Sequence, residues 1–132
     1  ETALTGVLAD ASLDVRLNAI ESLAEIEATT ANAALIDRLN VDENAQVRSA
    51  AADALGRLKA KDAIPALLLY VQSFGPNDRA QLAGVWALGN IGSDGLEPDA
   101  KTGVLSTLSN LRETTADPYV RYVASAALRT LK

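Results

Sequence analysis

The chain has 132 residues, a size typical of a single domain, and a formal net charge of −5 at neutral pH. It contains neither cysteine nor histidine, which excludes disulfides, thiol nucleophiles, imidazole bases and nearly all zinc, copper and haem sites. Hydrophobic residues make up 48% of the chain, too many for a disordered protein, and the acidic balance disfavours binding to nucleic acid.

Other kinds of site and segment are also missing from the sequence. No glycine-rich phosphate-binding motif occurs, and we expect no bound cofactor. No run of about 18 apolar residues occurs, so we expect no membrane insertion of this segment. The chain begins at Glu1 and contains no methionine, and we therefore expect it to be part of a longer protein. The absence of cysteine suits the cytoplasm and the periplasm equally. We slightly favour a cytoplasmic location, without excluding the periplasm.

Apolar residues at helical spacing predict eight helices and no strand. In chain order the predicted helices span residues 2–9, 15–26, 31–39, 47–59, 62–71, 80–92, 101–112 and 120–132. Polar residues, glycine and proline separate them, most clearly at residues 74–78, where the sequence Phe-Gly-Pro-Asn-Asp forms a turn. The eight helices form four consecutive pairs.

One twelve-residue pattern recurs in the second helix of each pair. Its copies begin at Val15, Val47, Ala80 and Val120, so the starts are 32, 33 and 40 residues apart, which indicates a tandem repeat. The fifth residue of every copy is alanine or glycine, and the ninth is always leucine. Residues one, five, nine and twelve fall on one face of a helix, which we expect to be buried. In the first copy these residues are Val15, Ala19, Leu23 and Ile26.

The copy Val-Arg-Ser-Ala-Ala-Ala-Asp-Ala-Leu-Gly at residues 47–56 resembles the HEAT repeat, and the short period resembles the repeats of phycobilisome-lyase-like proteins. The resemblance covers the whole chain and implies an all-α, right-handed α-solenoid of four helical hairpins. First helices would form a convex layer and second helices a concave one. We expect a single domain over residues 1–132, with repeats at 1–28, 29–60, 61–92 and 100–132 and an inserted loop at 93–99.

HEAT repeats of this kind typically place an aspartate six residues before an arginine, and the two side chains connect adjacent turns. The resemblance implies such pairs at Asp10 and Arg16 and at Asp42 and Arg48. The third copy departs from the pattern, with Gly75 and Gln81 at these positions. In the fourth copy Thr115 precedes Arg121, and the nearer Asp117 is the candidate partner.

Residues three, seven and eleven of each copy lie opposite the buried face and are the candidate binding residues. They predict a concave surface that is acidic at one end, through Glu21, Glu25 and Asp53, and apolar at the other, through Leu82, Trp86, Asn90 and Tyr122. Trp86 is either an exposed anchor for a partner or a side chain packed over a gap left by the inserted loop. Trp86 and Asn90 also resemble the peptide-binding pair of armadillo repeats, in which the asparagine amide bonds to a peptide backbone.

These residues predict a protein-interaction module without catalytic activity, which binds a protein or peptide segment carrying basic residues. Two alternatives stay open at this point. The chain could be an accessory subunit of a lyase-like enzyme that handles a small ligand in the same groove, or a structural spacer in a larger protein. Nothing in the sequence enforces burial of a carboxylate pair, so we expect no catalysis by Glu21, Glu25 and Asp53.

Overall fold

The computed structural model describes residues 6–8 and 12–131, and every regular element in this part of the chain is helical. Seven α-helices are present there: α1 Leu13–Glu25, α2 Asn32–Val41, α3 Ala45–Arg57, α4 Ile64–Gln72, α5 Leu82–Ile91, α6 Pro98–Thr114 and α7 Pro118–Leu131. The first predicted helix, 2–9, lies outside the described residues apart from a helical turn at 6–8. The predicted all-α fold class is confirmed.

The helices form two layers. In one layer α1 packs against α3, α3 against α5 and α5 against α7, while in the other α2 packs against α4 and α4 against α6. Each first helix also packs against the second helix that follows it, so α2–α3, α4–α5 and α6–α7 are hairpins. Each hairpin therefore contacts mainly its neighbours, which is the architecture of a solenoid. We call the outer surface of α1, α3, α5 and α7 the second-helix face.

Small residues allow the second helices to approach closely. An ideal Cβ built on Gly56 of α3 would lie 2.7 Å from the Cα atom of Ala87 in α5. A Cβ on Gly89 of α5 would likewise lie 3.0 Å from the Cα atom of Ala127 in α7. The tenth residue of one copy thus packs on the eighth residue of the next, which explains why the residues at these two contacts are small.

The predicted buried face is confirmed at its centre. The ninth residues Leu23, Leu55, Leu88 and Leu128 are all buried, as are all four fifth residues. The prediction is wrong at Val15 and Ile26, which are 38% and 54% exposed. Among the described helices α1 packs mainly against α3, so the outer ends of its apolar face are left uncovered. Ala80 is also exposed, because it lies in a 3₁₀ turn before α5 begins.

Three second helices, α1, α3 and α5, are followed at one shared position by a residue with a positive φ angle. Glu27, Lys59 and Gly92 follow α1, α3 and α5 with φ angles of 54°, 52° and 81°. After α3 the amide of Ala60 donates to the carbonyl of Leu55 over 3.0 Å, the bond that closes a Schellman motif. Glycine is the residue best suited to this conformation, so Glu27 and Lys59 occupy it at a cost in stability.

Residues 92–97 connect α5 to α6, and α6 already begins at Pro98, within the predicted loop. The Ser93 hydroxyl donates to the carbonyl of Leu131 over 2.9 Å. The Lys61 ammonium donates to the carbonyl of Asp94. The loop is thereby attached to the repeats on both sides of it.

Candidate functional site

The repeat arginines of the second and fourth copies, Arg48 and Arg121, bond to backbone carbonyls rather than to the predicted carboxylates. Within the second copy Arg48 donates to the carbonyl of Asp42, six residues earlier, over 2.7 Å. Arg121 donates to the carbonyl of Thr115 over 2.8 Å. Gln81 replaces arginine in the third copy and still reaches the carbonyl of Gly75 over 3.0 Å. The predicted side-chain pair of Asp42 and Arg48 is therefore wrong, because the geometry of the turn offers Arg48 a carbonyl.

The Asp42 carboxylate instead connects the first two copies. Arg16, which is 26 residues earlier, places its Nε 3.2 Å from Asp42, and Arg38 places a guanidinium nitrogen 3.3 Å away. Both Asp42 and Arg16 are buried. The other predicted partner of Arg16, Asp10, lies outside the described residues.

The last two copies are connected by a different set of groups. Arg79 pairs with the Asp117 carboxylate over 2.9 Å, and this hydrogen bond lowers the pKa of Asp117. The Asn77 side-chain oxygen accepts from the Thr115 hydroxyl over 3.1 Å. The expectation that Asp117 partners Arg121 is thus wrong: Asp117 is held by Arg79 and also accepts from the Tyr119 amide at the start of α7.

Three of the predicted binding residues lie together on the second-helix face. Trp86, Asn90 and Tyr122 line one groove of about 410 Å³ between α5 and α7, beside the end of α3. We call it the aromatic groove, and the other residues lining it are Lys59, Gly89, Val123, Ala126, Ala127 and Thr130.

Trp86 is both packed and exposed. Its Cζ3 atom lies 2.9 Å from the point where a Cβ on Gly56 would stand, so the indole rests on the glycine of α3. The side chain nevertheless keeps 41% of its surface exposed. Tyr122 across the groove is 64% exposed. The contact of Trp86 is with α3, and its open face belongs to the groove.

Two other predicted residues contribute differently. The side-chain amide of Asn90 donates to the carbonyl of Gly56 over 2.6 Å, so this donor joins α5 to α3. Leu82 is half-buried and packs against the hydrophobic core, away from the groove lining. Asn90 therefore lines the groove but directs its amide donor to α3, not to a bound peptide backbone as the armadillo resemblance implies.

The acidic residues do not share the aromatic groove. Glu21 pairs with Arg57 over 3.5 Å, and Glu25 is exposed. Asp53 is half-buried and lines a separate groove of about 570 Å³ with Leu17 and Arg48 among others. Burial raises the pKa of Asp53, while Arg57 lowers it and Glu21 raises it. The acidic end is therefore partly neutralised by Arg57.

Sequence reasoning missed Lys59, the charged residue of the aromatic groove. It follows the twelve-residue pattern directly, at the position where the neighbouring copies carry Glu27 and Gly92. This position varies in charge from copy to copy although its positive φ is shared, and that variation was a signal available in the sequence.

Within residues 6–8 and 12–131 no group of acidic side chains is arranged to hold a metal ion. No helix in the same part of the chain is both long and apolar enough to cross a bilayer.

A comparison with protein families gives a match over most of the chain. The sequence matches the family described as HEAT repeats over residues 1–73 and again over residues 32–131. The two overlapping matches together cover nearly all of the chain. A search of curated proteins found no match.

Proposed function

Because the chain belongs to the HEAT-repeat family, whose repeats are generally protein-interaction scaffolds, we propose that it binds a partner segment on its second-helix face. The family is generally non-catalytic. The observation that carries the proposal is the exposure of two large aromatic side chains, Trp86 and Tyr122, toward one groove. Tryptophan and tyrosine are the residues most enriched among those that dominate binding energy.

The proposed binding surface extends beyond the aromatic groove. Trp86 and Tyr122 would hold an apolar side chain of the partner, and Leu82 and Asn90 would support the groove from α5. Glu25 and Asp53, with Glu21, would attract basic residues of the partner at the other end of the face, where Arg57 cancels part of their charge.

Affinity capture with matched variants tests this proposal. The immobilised chain is compared with Trp86→Ala/Tyr122→Ala and with Leu69→Ala/Tyr119→Ala, which removes two exposed apolar side chains outside the groove. We expect a partner that is retained by the wild type and by the control but lost by the groove variant. Partners retained equally by all three chains would refute a role for the groove, and capture of no partner by any of the three would favour the structural spacer.

A second candidate function rests on the volume of the aromatic groove. At about 410 Å³ it lies in the range of pockets that take small molecules, as expected for an accessory subunit of a lyase-like enzyme. Titration with biliverdin, a linear tetrapyrrole, tests it through the fluorescence of Trp86. Saturable quenching that Tyr122→Ala abolishes would support this second function, and the absence of quenching would refute it.

A further inference from the structure

Lys59 is an unpaired cation at the edge of the aromatic groove. Three basic residues, Arg57, Lys59 and Lys61, alternate with apolar residues at and after the end of α3. Two of them have side-chain partners: Arg57 pairs with Glu21, and Lys61 donates to the carbonyl of Asp94. Lys59 is exposed, and its ammonium group forms no ion pair or hydrogen bond with any residue in the described part of the chain. Its ammonium group is therefore available to a ligand.

The rest of the groove is uncharged, and two of its polar side chains form hydrogen bonds within the fold. Asn90 donates to the carbonyl of Gly56 over 2.6 Å, and the Thr130 hydroxyl donates to the carbonyl of Ala126 over 3.1 Å. Lys59 is thus the one charged side chain among the described residues that line the groove. The groove combines two exposed aromatic rings with a single free positive charge.

We propose that the partner segment carries a carboxylate beside an apolar anchor, with the carboxylate on Lys59 and the anchor between Trp86 and Tyr122. This inference rests on the proposed function and specifies the chemistry of the partner at that site. An ion pair at an exposed edge adds modest affinity, but it sets the direction and register of the bound segment. Basic residues of the same segment then point toward Glu25 and Asp53, so the charges on the face fix one orientation.

The test uses three acetylated, amidated peptides that differ in one residue: Glu-Leu-Phe, Gln-Leu-Phe and Lys-Leu-Phe. Binding to the full chain is measured by Trp86 fluorescence and by amide chemical shifts. Lys59→Gly removes the charge and suits the left-handed backbone, so it does not burden the fold. Lys59→Glu reverses the charge, and Lys101→Gln is the control on the exposed surface of α6.

We expect the Glu peptide to bind the wild type about fivefold more tightly than the Lys peptide, the effect of an exposed charge pair. The preference should disappear in Lys59→Gly, reverse in Lys59→Glu and persist in Lys101→Gln. It should also weaken as salt screens the pair.

Two different failures are distinguishable. If all three peptides bind equally and only Trp86→Ala or Tyr122→Ala weakens them, the charge inference is refuted while the groove stands. If no peptide perturbs Trp86 or the amides of α5 and α7 at millimolar concentration, both the inference and the proposed groove are refuted.

Discussion

The two halves of the second-helix face differ in how far their side chains are already satisfied. In the acidic half Glu21 is paired with Arg57, and Asp53 is half-buried beside the same arginine. In the aromatic half Trp86 and Tyr122 are exposed around a groove, and Lys59 has no partner in the described part of the chain. If charge density alone determined where a partner binds, we would expect binding at the acidic half. The exposed aromatic rings and the unpaired ammonium group favour binding at the aromatic half instead. The following changes test that inference.

The largest effect is expected from removing the aromatic pair. Trp86→Ala/Tyr122→Ala should weaken partner binding by at least about 100-fold, since truncating a dominant interface aromatic costs about 2 kcal/mol or more. Glu21→Gln/Glu25→Gln should weaken it by less than about fivefold, because exposed charges contribute little. Isothermal titration of the captured partner measures both. A larger loss in the acidic variant would reverse the comparison.

A smaller effect is expected at the glycine that supports Trp86. Gly56→Ala places a methyl group within 2.8 Å of Ala87 and 2.9 Å of the indole, so α3 and α5 must separate or the ring must move. We expect a loss of about 1–3 kcal/mol in the free energy of unfolding, the usual cost of overpacking, together with a changed Trp86 emission.

Gly75→Ala is the matched control for this change. A Cβ on Gly75 meets no atom within 4 Å, and its backbone is not left-handed, so we expect no loss of stability. Chemical denaturation of both variants measures the difference. Equal stability of Gly56→Ala and wild type would show that the support of Trp86 by α3 is not tight.

The smallest effect concerns the half-buried carboxylate of the acidic half. Burial raises the pKa of Asp53 in the folded state. The contribution of Asp53 to the free energy of unfolding is therefore most favourable while its carboxyl group is protonated, and it falls as the pH rises through the folded-state pKa. Asp53→Asn should therefore raise the melting temperature by about 1 °C at pH 7 and leave it unchanged near pH 3. Melting curves at the two pH values check this, and a lower melting temperature at pH 7 would show that Arg57 outweighs burial.

Much of the architecture could be predicted from the repeated columns. Leu23, Leu55, Leu88 and Leu128 recur at one position because each must fill the same space between neighbouring helices, and all four are buried. Val15 and Ile26 fit the same pattern yet are exposed. Burial also depends on a neighbouring helix, and the residue type at a repeated position does not show whether that helix is present.

The candidate site was harder to predict, because its residues are those that vary. The third copy places Trp86 where the other copies have Glu21, Asp53 and Ala126, and this contrast is the sequence signal that indicates the groove. The pairing of Asp42 with Arg16 and the bond from Asn90 to Gly56 connect different repeats. Such contacts depend on how repeats stack, so spacing within a single copy could not reveal them.

The most direct test of an open, cationic aromatic groove is quenching of the single tryptophan by ions of opposite charge. The chain as a whole is negative and would concentrate caesium, but Lys59 lies in the same groove as the indole. With each ion's quenching expressed relative to its quenching of free N-acetyltryptophanamide, we expect iodide to quench Trp86 more strongly than caesium, and Lys59→Gly to abolish the difference. Emission that neither ion quenches, or that caesium quenches more strongly in the wild type, would contradict the account.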